Sequence, residues 1–403
     1  MQKALTNLKV IEYGNYISAP YCTKLLAGLG AEVIKIEKPG VGDESRSHGP
    51  FPNDIPDSEK SGLFLFLNTN KLDITVNLET ITGRNIFLKL IGEADIFVEN
   101  NYPENLKKLG LDYTELQKIN PRLIMASITP FGQTGPYKDY KAYDINSCAS
   151  GGMSVGVGDP EREPLTMPLS QGSYQAGVAA TIGILSALFA RKKSGEGQHI
   201  DVSEVEVWAM LHMIQSSQTF LYRGITGIRR GIHAGFFLYP GTILPCKDGF
   251  INLTAPQLEQ WIRFLSLMGN PSWTENPRYR NRRAMHEEYP DETDELLRPW
   301  FKQHTKEEIF QMCQQNRIPF APIYNIGELV NHPHLRERKF FVEIDHPQAG
   351  KLKYPVGPCK FSKTNWSYTR AAPLLGQDNE EVFCQRLGYS REEVANFRRS
   401  GVI

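Results

Sequence analysis

The first third of the sequence alternates short β-branched runs with segments of helical character, and this alternation limits the folds open to the chain. The stretch "APYCTKLLAGLG" between the first two runs is typical of a helix that begins near Pro20 and ends at Gly28 and Gly30. Strands separated by helices form parallel βαβ units, so the sequence predicts an α/β fold with a parallel sheet. The predicted strands are residues 8–14, 31–38, 94–100 and 123–132.

The texture of the sequence changes near residue 222. Before that point, residues 173–193 and about 201–222 have the pattern of two long helices. After it, glycine and proline punctuate the chain, two short strands flank a turn at 247–249, and a charged helical stretch follows. A chain of 403 residues is long enough for two cores. We therefore predict a large domain from residues 1–222 and 326–403 and a smaller central α+β domain from residues 223–325.

The composition disfavours several classes of partner. The 45 basic and 45 acidic residues cancel, so the charge of the whole chain does not favour nucleic acid or an acidic membrane. The six cysteines form no CxxC pair, which disfavours a disulfide framework and a zinc site, and no metal site is predicted. No apolar run approaches about 18 residues without a polar interruption. We expect a cytoplasmic protein with reduced cysteines and no membrane span.

Two familiar catalytic patterns are absent from the sequence. The turn after the first predicted strand reads "YGNYISAP" and lacks the GxGxxG spacing that a dinucleotide needs, so a nicotinamide oxidoreductase is the least favoured function. Ser173, in "GSYQAG", lacks the flanking glycines of a GxSxG elbow, and no histidine lies near it in the sequence. Because a serine hydroxyl is a weak nucleophile without a base, a hydrolase-type Ser173 is disfavoured.

Several lysines lie where predicted strands end, which is the edge at which open α/β sheets bind ligands. A lysine is a point charge suited to phosphate, although any single lysine is usually a solvated surface residue. As a group they predict an anion site. They are Lys38, Lys71, Lys107, Lys108 and Lys141.

Longer stretches of the sequence resemble the class III CoA-transferases, the group that contains formyl-CoA transferases, crotonobetainyl/carnitine transferases and α-methylacyl-CoA racemases. The resemblance covers essentially the whole chain. It implies a Rossmann-like large domain built from both chain ends, a smaller central domain and an interlocked dimer. It also implies coenzyme A or an acyl-CoA as substrate, with no tightly bound cofactor. The stretches are residues 19–37, "GDESR" (42–46), "LNTNK" (67–71), "DIFVEN" (95–100), 116–137, 187–203, "CKDGF" (246–250) and "APLLGQDNEEV" (372–382).

The resemblance assigns coenzyme A contacts by position. Lys38 and Lys108 stand where the family often has arginine, a change that keeps the charge and loses the bidentate geometry. Residues 68–71 are expected along the phosphates, and Ile17 and Ser18 at the adenine. The implied contacts are Ile17, Ser18, Lys38, Asn68, Thr69, Asn70, Lys71, Asn100, Asn101, Tyr102, Lys108, Lys141, Ala142, Tyr143 and Asp144.

The resemblance leaves the catalytic position without its usual residue. In transferases of this class an Asp carboxylate attacks the thioester and then itself carries CoA. The matching position is Ser173, whose hydroxyl can form neither an anhydride nor a CoA thioester. Tyr143 matches transferase members in which a Tyr lines the acyl pocket, and it replaces the histidine of the racemases. The carboxylates nearest in sequence lie in a loop with no feature that favours them, and they are Asp159, Glu161 and Glu163.

Three functions remain open from the sequence. In the first, the chain is the non-nucleophilic subunit of a class III CoA-transferase, and a homologous subunit supplies the Asp. Heteromeric members of the family act on succinyl-CoA with benzylsuccinate or malate, which makes succinyl-CoA a candidate donor. In the second, the chain alone performs other acyl-CoA chemistry with a base that the sequence does not identify. In the third, it binds acyl-CoA without catalysis.

A loop near residue 236 gives the sequence its one hint about the acyl group. Residues 229–241 occupy the region in which family members have a glycine-rich loop over the acyl intermediate. Here the loop carries Phe236, Phe237 and Tyr239. These rings favour an aromatic acid as substrate, or they pack in the core of the smaller domain.

Overall fold

The computed structural model describes residues 3–212, 218–226, 229–233 and 238–403. The chain divides into two compact units. The first unit contains both ends of the chain and the second contains the middle. Their limits are Met1–Met153, Thr166–Leu221 and Pro333–Ile403 for the first, and Ser154–Leu165 and Tyr222–His332 for the second. The domain boundaries expected from the sequence, 1–222, 223–325 and 326–403, stay a prediction.

The first unit is built on a six-stranded parallel sheet, which confirms the predicted α/β fold. Its strand order, β3-β2-β1-β4-β5-β6, is the order of the Rossmann fold. Strands β3 and β6 were not among the predicted strands. The strands are β1 (Lys9–Tyr13), β2 (Glu32–Glu37), β3 (Leu72–Thr75), β4 (Ile96–Glu99), β5 (Ile124–Thr129) and β6 (His199–Ser203).

Strand β6 corrects the prediction of a helix from about residue 201. It pairs in parallel register with β5, from Met125 opposite His199 to Thr129 opposite Ser203. The following helix therefore begins at Glu204. The sequence "HIDVS" alternates in polarity over only five residues, which is too short a window to separate a strand from a first helical turn.

The helices of the chain vary widely in length, and the longest contains Ser173. In order they are α1 (Ser18–Gly28), α2 (Gly62–Leu67), α3 (Ile81–Glu93), α4 (Pro103–Leu109), α5 (Tyr113–Ile119), α6 (Asp144–Ser150), α7 (Gln171–Ser194), α8 (Glu204–His212), α9 (Gln218–Arg223), α10 (Leu258–Leu267), α11 (Arg282–Glu287), α12 (Pro290–Phe301), α13 (Lys306–Gln315), α14 (Ile326–Val330), α15 (Pro333–Glu337) and α16 (Arg391–Arg399), with a π-helical turn at Glu381–Arg386.

The two faces of the parallel sheet bury separate apolar clusters, because successive residues of a strand point to opposite faces. Ile11 and Phe97 belong to the cluster that contains α3 and the C-terminal segment. Val10 and Ile96 belong to the cluster that contains α1 and α7. By length and composition alone α7 could also cross a membrane, but its Ala176, Ala180 and Ile184 are buried against the sheet.

The second unit is smaller and has a strongly aromatic core. Its antiparallel strands are β7 (Gly241–Cys246), β8 (Gly249–Thr254) and β9 (Ala321–Ile323), and β7 and β8 flank the predicted turn. Trp261, Phe264, Phe301 and Phe320 are buried together beside these strands. In the first unit, a hairpin of β10 (Phe341–His346) and β11 (Gly350–Pro355) completes the strands.

Candidate active site

Three cavities lie at the carboxyl ends of the parallel strands in the first unit, where α/β sheets bind their ligands. The inner cavity, of about 490 Å³, is lined by Ser173 and by residues that follow β1, β4, β5 and β6. The middle cavity, of about 670 Å³, shares Asn15 with it. The outer cavity, of about 330 Å³, shares Tyr13, Lys38 and Asn101 with the middle one. Together they form a path along the sheet edge.

Most of the residues assigned by resemblance line this path. Lys38 lines the middle and outer cavities, with its ammonium 3.7 Å from Glu79, and Lys108 lines the outer cavity. Lys141 is exposed and lines none of the three cavities. Asn101 lines the middle and outer cavities, and its side chain donates to the carbonyl of Tyr13. The inner cavity brings together Ile17, Ser18, Asn100, Tyr102, Ala142, Tyr143, Asp144 and Ser173.

The segment at residues 68–71 has internal partners in the structure. Asn68, Thr69 and Lys71 are fully buried, and the amide of Asn70 holds the backbone near residue 369. The Lys71 ammonium donates to Glu12, to Asn68 and to the carbonyl of Pro20. In the single chain these side chains are therefore occupied by internal contacts. The expected phosphate contacts of Asn68, Thr69, Asn70 and Lys71 stay a prediction.

Glu12 is the centre of a buried ion-pair cluster beneath this segment. Its carboxylate lies 2.7 Å from the ammonium of Lys35 and 2.8 Å from that of Lys71, and all three side chains are fully buried. Burial opposes ionisation of Glu12, but the two lysines outweigh it and hold its pKa below the ordinary value. For Lys71, burial prevails over the attraction of Glu12 and lowers the pKa to about 8. These three side chains line none of the three cavities, so the role of the cluster is structural.

Ser173 is positioned by the first turn of α7. A Cβ at Gly177 would lie 2.7 Å from the carbonyl oxygen of Ser18, so a glycine is needed where α7 passes close to α1. The Asp144 carboxylate accepts a hydrogen bond from the Ser173 backbone N–H at 2.9 Å. A carboxylate there is favoured by the positive end of the 24-residue helix. Asp144 therefore stabilises the start of α7 while also lining the inner cavity.

Glu204 is the functional candidate that sequence reasoning missed. The Ser173 hydroxyl donates to the Glu204 carboxylate, with Oγ 3.0 Å from Oε1. The two residues lie 31 positions apart in the chain and both line the inner cavity, although only 7% of Ser173 and 6% of Glu204 is exposed. The sequence carries one signal for Glu204, a carboxylate directly after a strand, but the helical pattern from about residue 201 obscures that strand.

Burial in the inner cavity raises the pKa of two carboxyl groups, Glu204 and Asp144. Burial raises the pKa of Glu204, and the charge of Asp144 adds to the shift, while hydrogen bonds from Ser173 and Ser147 oppose it. Burial also raises the pKa of Asp144. A carboxylate whose pKa is moved toward neutrality can take up and return a proton, so the Ser173–Glu204 pair has the composition of a nucleophile with a general base.

The loop expected over the acyl group is described only in part. Phe236 and Phe237 lie outside the described residues. Tyr239 is fully buried in the second unit and its hydroxyl donates to Asp294 at 2.7 Å, so it packs in the core of that unit. His233, Asp291 and Asp294 could offer ligand atoms to one metal ion, but Asp294 already accepts bonds from His233, Tyr239 and Thr242. Tyr143, by contrast, is 76% exposed and lies at the inner cavity.

The sequence matches the family described as CoA-transferase family III over residues 5–379. This chain belongs to CoA-transferase family III. It is 34% identical to the formyl-CoA:oxalate CoA-transferase of Escherichia coli O139:H28, over the full length of both chains. The enzyme of that name from Shigella boydii serotype 18 matches with the same identity and coverage.

Solved structures of similar proteins support the fold of this member of the family. A CAIB/BAIF family protein from Brucella suis is 27% identical, with a TM-score of 0.86 over 96% of this chain and 100% of that one. Rv3272 from Mycobacterium tuberculosis is 26% identical, with a TM-score of 0.79 over 94% of this chain and 98% of that one. CoA thioesters are the substrates of this family.

Proposed function

We propose that this chain is a subunit of a cytoplasmic family III CoA-transferase that moves CoA from an acyl-CoA to a carboxylic acid, with a homologous subunit supplying the nucleophilic Asp. The observation that carries the proposal is Ser173, a hydroxyl at the position that matches the family's Asp. The candidate donor is succinyl-CoA, and the candidate acceptor is an aromatic acid.

The chemistry explains why the exchange matters. A carboxylate attacks the thioester, forms a mixed anhydride and releases CoA thiolate, which then attacks the enzyme's carbonyl and releases the first acid. The acceptor acid repeats the sequence in reverse. A hydroxyl would instead form an ester. The serine side of that ester has no carbonyl carbon to which CoA could be attached. Ser173 therefore cannot complete this cycle, and a partner's Asp must.

The cavities support binding of acyl-CoA to this chain. The outer and middle cavities carry Lys38 and Lys108, which suit phosphates, and the inner cavity carries Ser173 and Tyr143. We place the phosphates of CoA toward the two lysines and the thioester toward Ser173. The contacts by Asn68, Thr69, Asn70, Lys71 and Lys141 remain part of the proposal.

An apolar stripe on α7 supports a partner subunit. Ile182, Leu185 and Phe189 lie on one face of the helix, and they are 61%, 36% and 70% exposed. Large apolar side chains grouped on a surface mark protein interfaces. We propose that a homologous subunit covers this stripe in an interlocked dimer.

A second candidate function is favoured by the contact between Ser173 and Glu204. The sequence identifies no base for a stand-alone acyl-CoA enzyme, whereas in the structure the Glu204 carboxylate contacts the Ser173 hydroxyl and could act as that base. A non-catalytic acyl-CoA-binding protein is the third candidate, and no contact in the inner cavity favours it over the other two.

The first experiment is to measure the native mass of the complex purified from its own cells, with each subunit identified by peptide sequencing. We expect a second chain of similar size that carries Asp at the position of Ser173, and CoA transfer from succinyl-CoA to acceptor acids by that complex only. A homomer that transfers CoA at the rate of the native complex would contradict the proposal.

A variant of the homomer tests the position itself. Ser173→Asp alone would place two carboxyl groups about 3 Å apart, and one of them would stay protonated. We therefore expect the double variant Ser173→Asp/Glu204→Gln to gain more CoA transfer than Ser173→Asp, measured by mass spectrometry of the acceptor thioester. The matched control is Ser173→Asn/Glu204→Gln, which has the same shape and cannot form an anhydride. Equal CoA transfer by this control and by Ser173→Asp/Glu204→Gln would contradict the assignment of position 173 as the position of the family's nucleophilic Asp.

A further inference from the structure

We propose that Ser173 and Glu204 form a nucleophile and general-base pair that gives this chain its own acyl-CoA hydrolysis, independent of a partner subunit. The inference rests on the proposed function in one respect, because it takes from it the binding of acyl-CoA with its thioester in the inner cavity. It goes beyond that function, which assigns no chemistry to Ser173.

The geometry of the pair is that of an activated hydroxyl. Ser173 Oγ donates directly to Glu204 Oε1 at 3.0 Å, within the range in which a base takes a proton from a nucleophile. Ser173 comes from the first turn of α7 and Glu204 is the first residue of α8, so two separate helices fix the two groups. A pair held by rigid elements keeps its geometry better than one held by loops.

The pair also faces space for a substrate. Both residues line the inner cavity of about 490 Å³, together with Tyr143 and Asp144. By contrast, Thr23 donates to Glu12 at 2.6 Å, and both of those residues are fully buried and line none of the three cavities. The contact between Thr23 and Glu12 is therefore a structural one in the core, whereas the contact between Ser173 and Glu204 lies beside a cavity.

The steps balance with water as the second reactant. Ser173 Oγ forms a bond to the thioester carbonyl carbon while its proton moves to Glu204. The carbon–sulfur bond then breaks, and CoA leaves as the thiol after taking the proton from Glu204. A water molecule next attacks the acyl-serine ester as Glu204 takes its proton. The carbon–Oγ bond breaks, the carboxylic acid leaves, and Ser173 regains its proton from Glu204.

The electrostatics of the cavity support this role. Burial raises the pKa of Glu204, with Asp144 as the charged neighbour and Ser147 and Ser173 as hydroxyl partners. A base with a raised pKa takes a hydroxyl proton more readily than an ordinary carboxylate does. Ser173 lies in the first turn of α7, so the positive end of this helix favours the negative charge that develops on Ser173 Oγ as its proton leaves.

The test uses the purified chain with acetyl-CoA, succinyl-CoA and benzoyl-CoA as separate probes. Release of CoA thiol without any acceptor acid is followed with time, and acid-quenched protein is digested and sequenced by mass spectrometry. We expect an acyl group on the peptide that contains Ser173 with at least one probe. Glu204→Gln should lower the rate of thiol release by about 10²-fold or more, since a general base contributes that much.

The controls separate catalysis from folding. Ser173→Ala should abolish both acylation and thiol release, and it provides a second test if Glu204→Gln fails to fold. Glu206→Gln changes an exposed glutamate on the same helix that does not line the cavity, and it should leave the rate unchanged. Circular dichroism of each variant confirms its fold.

Two results would overturn the pair. Thiol release no faster than in buffer, from all three probes, means that Ser173 is not a nucleophile; native mass spectrometry of the same samples then shows whether CoA is bound. Bound CoA without hydrolysis leaves the proposed function standing, whereas no bound CoA removes that function as well. A hydroxamate on Glu204 after treatment with neutral hydroxylamine would instead mean that Glu204 attacks the thioester directly.

Discussion

Two buried glutamates of the first unit make similar contacts and differ in what surrounds them. Glu12 accepts from the Thr23 hydroxyl at 2.6 Å, and Glu204 accepts from the Ser173 hydroxyl at 3.0 Å. Two lysines also contact Glu12 and lower its pKa, despite its burial. The contacts of Glu204 are hydroxyls, and burial raises its pKa. Glu204 lines the inner cavity, whereas Glu12 lines none of the three cavities described above.

The comparison separates a carboxylate that holds the fold from one that can do chemistry. A glutamate paired with two buried ammonium groups stays ionised, and its lowered pKa makes it a poor acceptor of a proton from a reacting group. A glutamate held by hydroxyls beside open space has a raised pKa and can exchange a proton with a group bound in that space. Burial alone does not distinguish the two, whereas the sign of the pKa shift and access to a cavity do.

The largest expected effect is on the Glu12 side of the comparison. Glu12→Gln leaves Lys71 buried without its carboxylate partner and leaves Lys35 with Asp43 alone, so we expect a loss of about 3–5 kcal/mol in the free energy of unfolding at pH 7. Because the folded pKa of Glu12 is lowered, its contribution is present above the unfolded pKa and is lost as the pH falls through the folded pKa. Urea unfolding at pH 7 and pH 4 measures both. Equal stability of variant and wild type at pH 7 would contradict a structural role for the cluster.

An intermediate effect is expected at Lys24, a buried lysine near the same cluster. Only 2% of Lys24 is exposed, and its ammonium donates to Thr69. The ammonium also lies 4.6 Å from the ring centres of Phe66 and Tyr368. Burial, together with the charge of Lys71, lowers the pKa of Lys24 to about 7. A depressed lysine pKa destabilises the fold below about pH 7, and the penalty falls as the pH rises toward the ordinary pKa of 10.5. Lys24→Met should therefore add about 1–3 kcal/mol of stability at pH 6.

The Lys24 prediction is checked by thermal unfolding of wild type and variant between pH 6 and pH 9. The gain should shrink as the pH rises. A variant that is less stable than wild type at pH 6 would mean that the contacts with Phe66 and Tyr368 outweigh the cost of burying the charge.

The smallest effect on stability is expected at Glu204. Its folded pKa is raised, so the stability it contributes is fully present below the unfolded pKa and is lost as the pH rises through the folded pKa. Glu204→Gln should change stability by less than about 1 kcal/mol at pH 5 and should favour the variant slightly at pH 8. Denaturation curves at the two pH values measure the change. A loss of several kcal/mol at pH 8 would place Glu204 with Glu12 among the structural carboxylates.

The sequence predicted the fold class better than the site. β-branched runs separated by helical stretches indicate parallel βαβ units whatever the loops do, and strands β1, β2, β4 and β5 lie within the predicted runs. The four-residue β3 was missed because "LDIT" is too short to carry a period. The contact between Ser173 and Glu204 depends on how α7 leads the chain back to β6 at the edge of the sheet. The sequence pattern carries no information about this three-dimensional arrangement.

The apolar stripe on α7 has a consequence for the cell as well as for the molecule. A chain that exposes Ile182, Leu185 and Phe189 is a client for chaperones and proteases as long as those side chains stay uncovered. Its abundance would then follow the supply of whatever covers the stripe, and copies made in excess would be degraded. If the proposed homologous subunit covers the stripe, the level of this protein in the cell is expected to follow the synthesis of that subunit as much as its own gene.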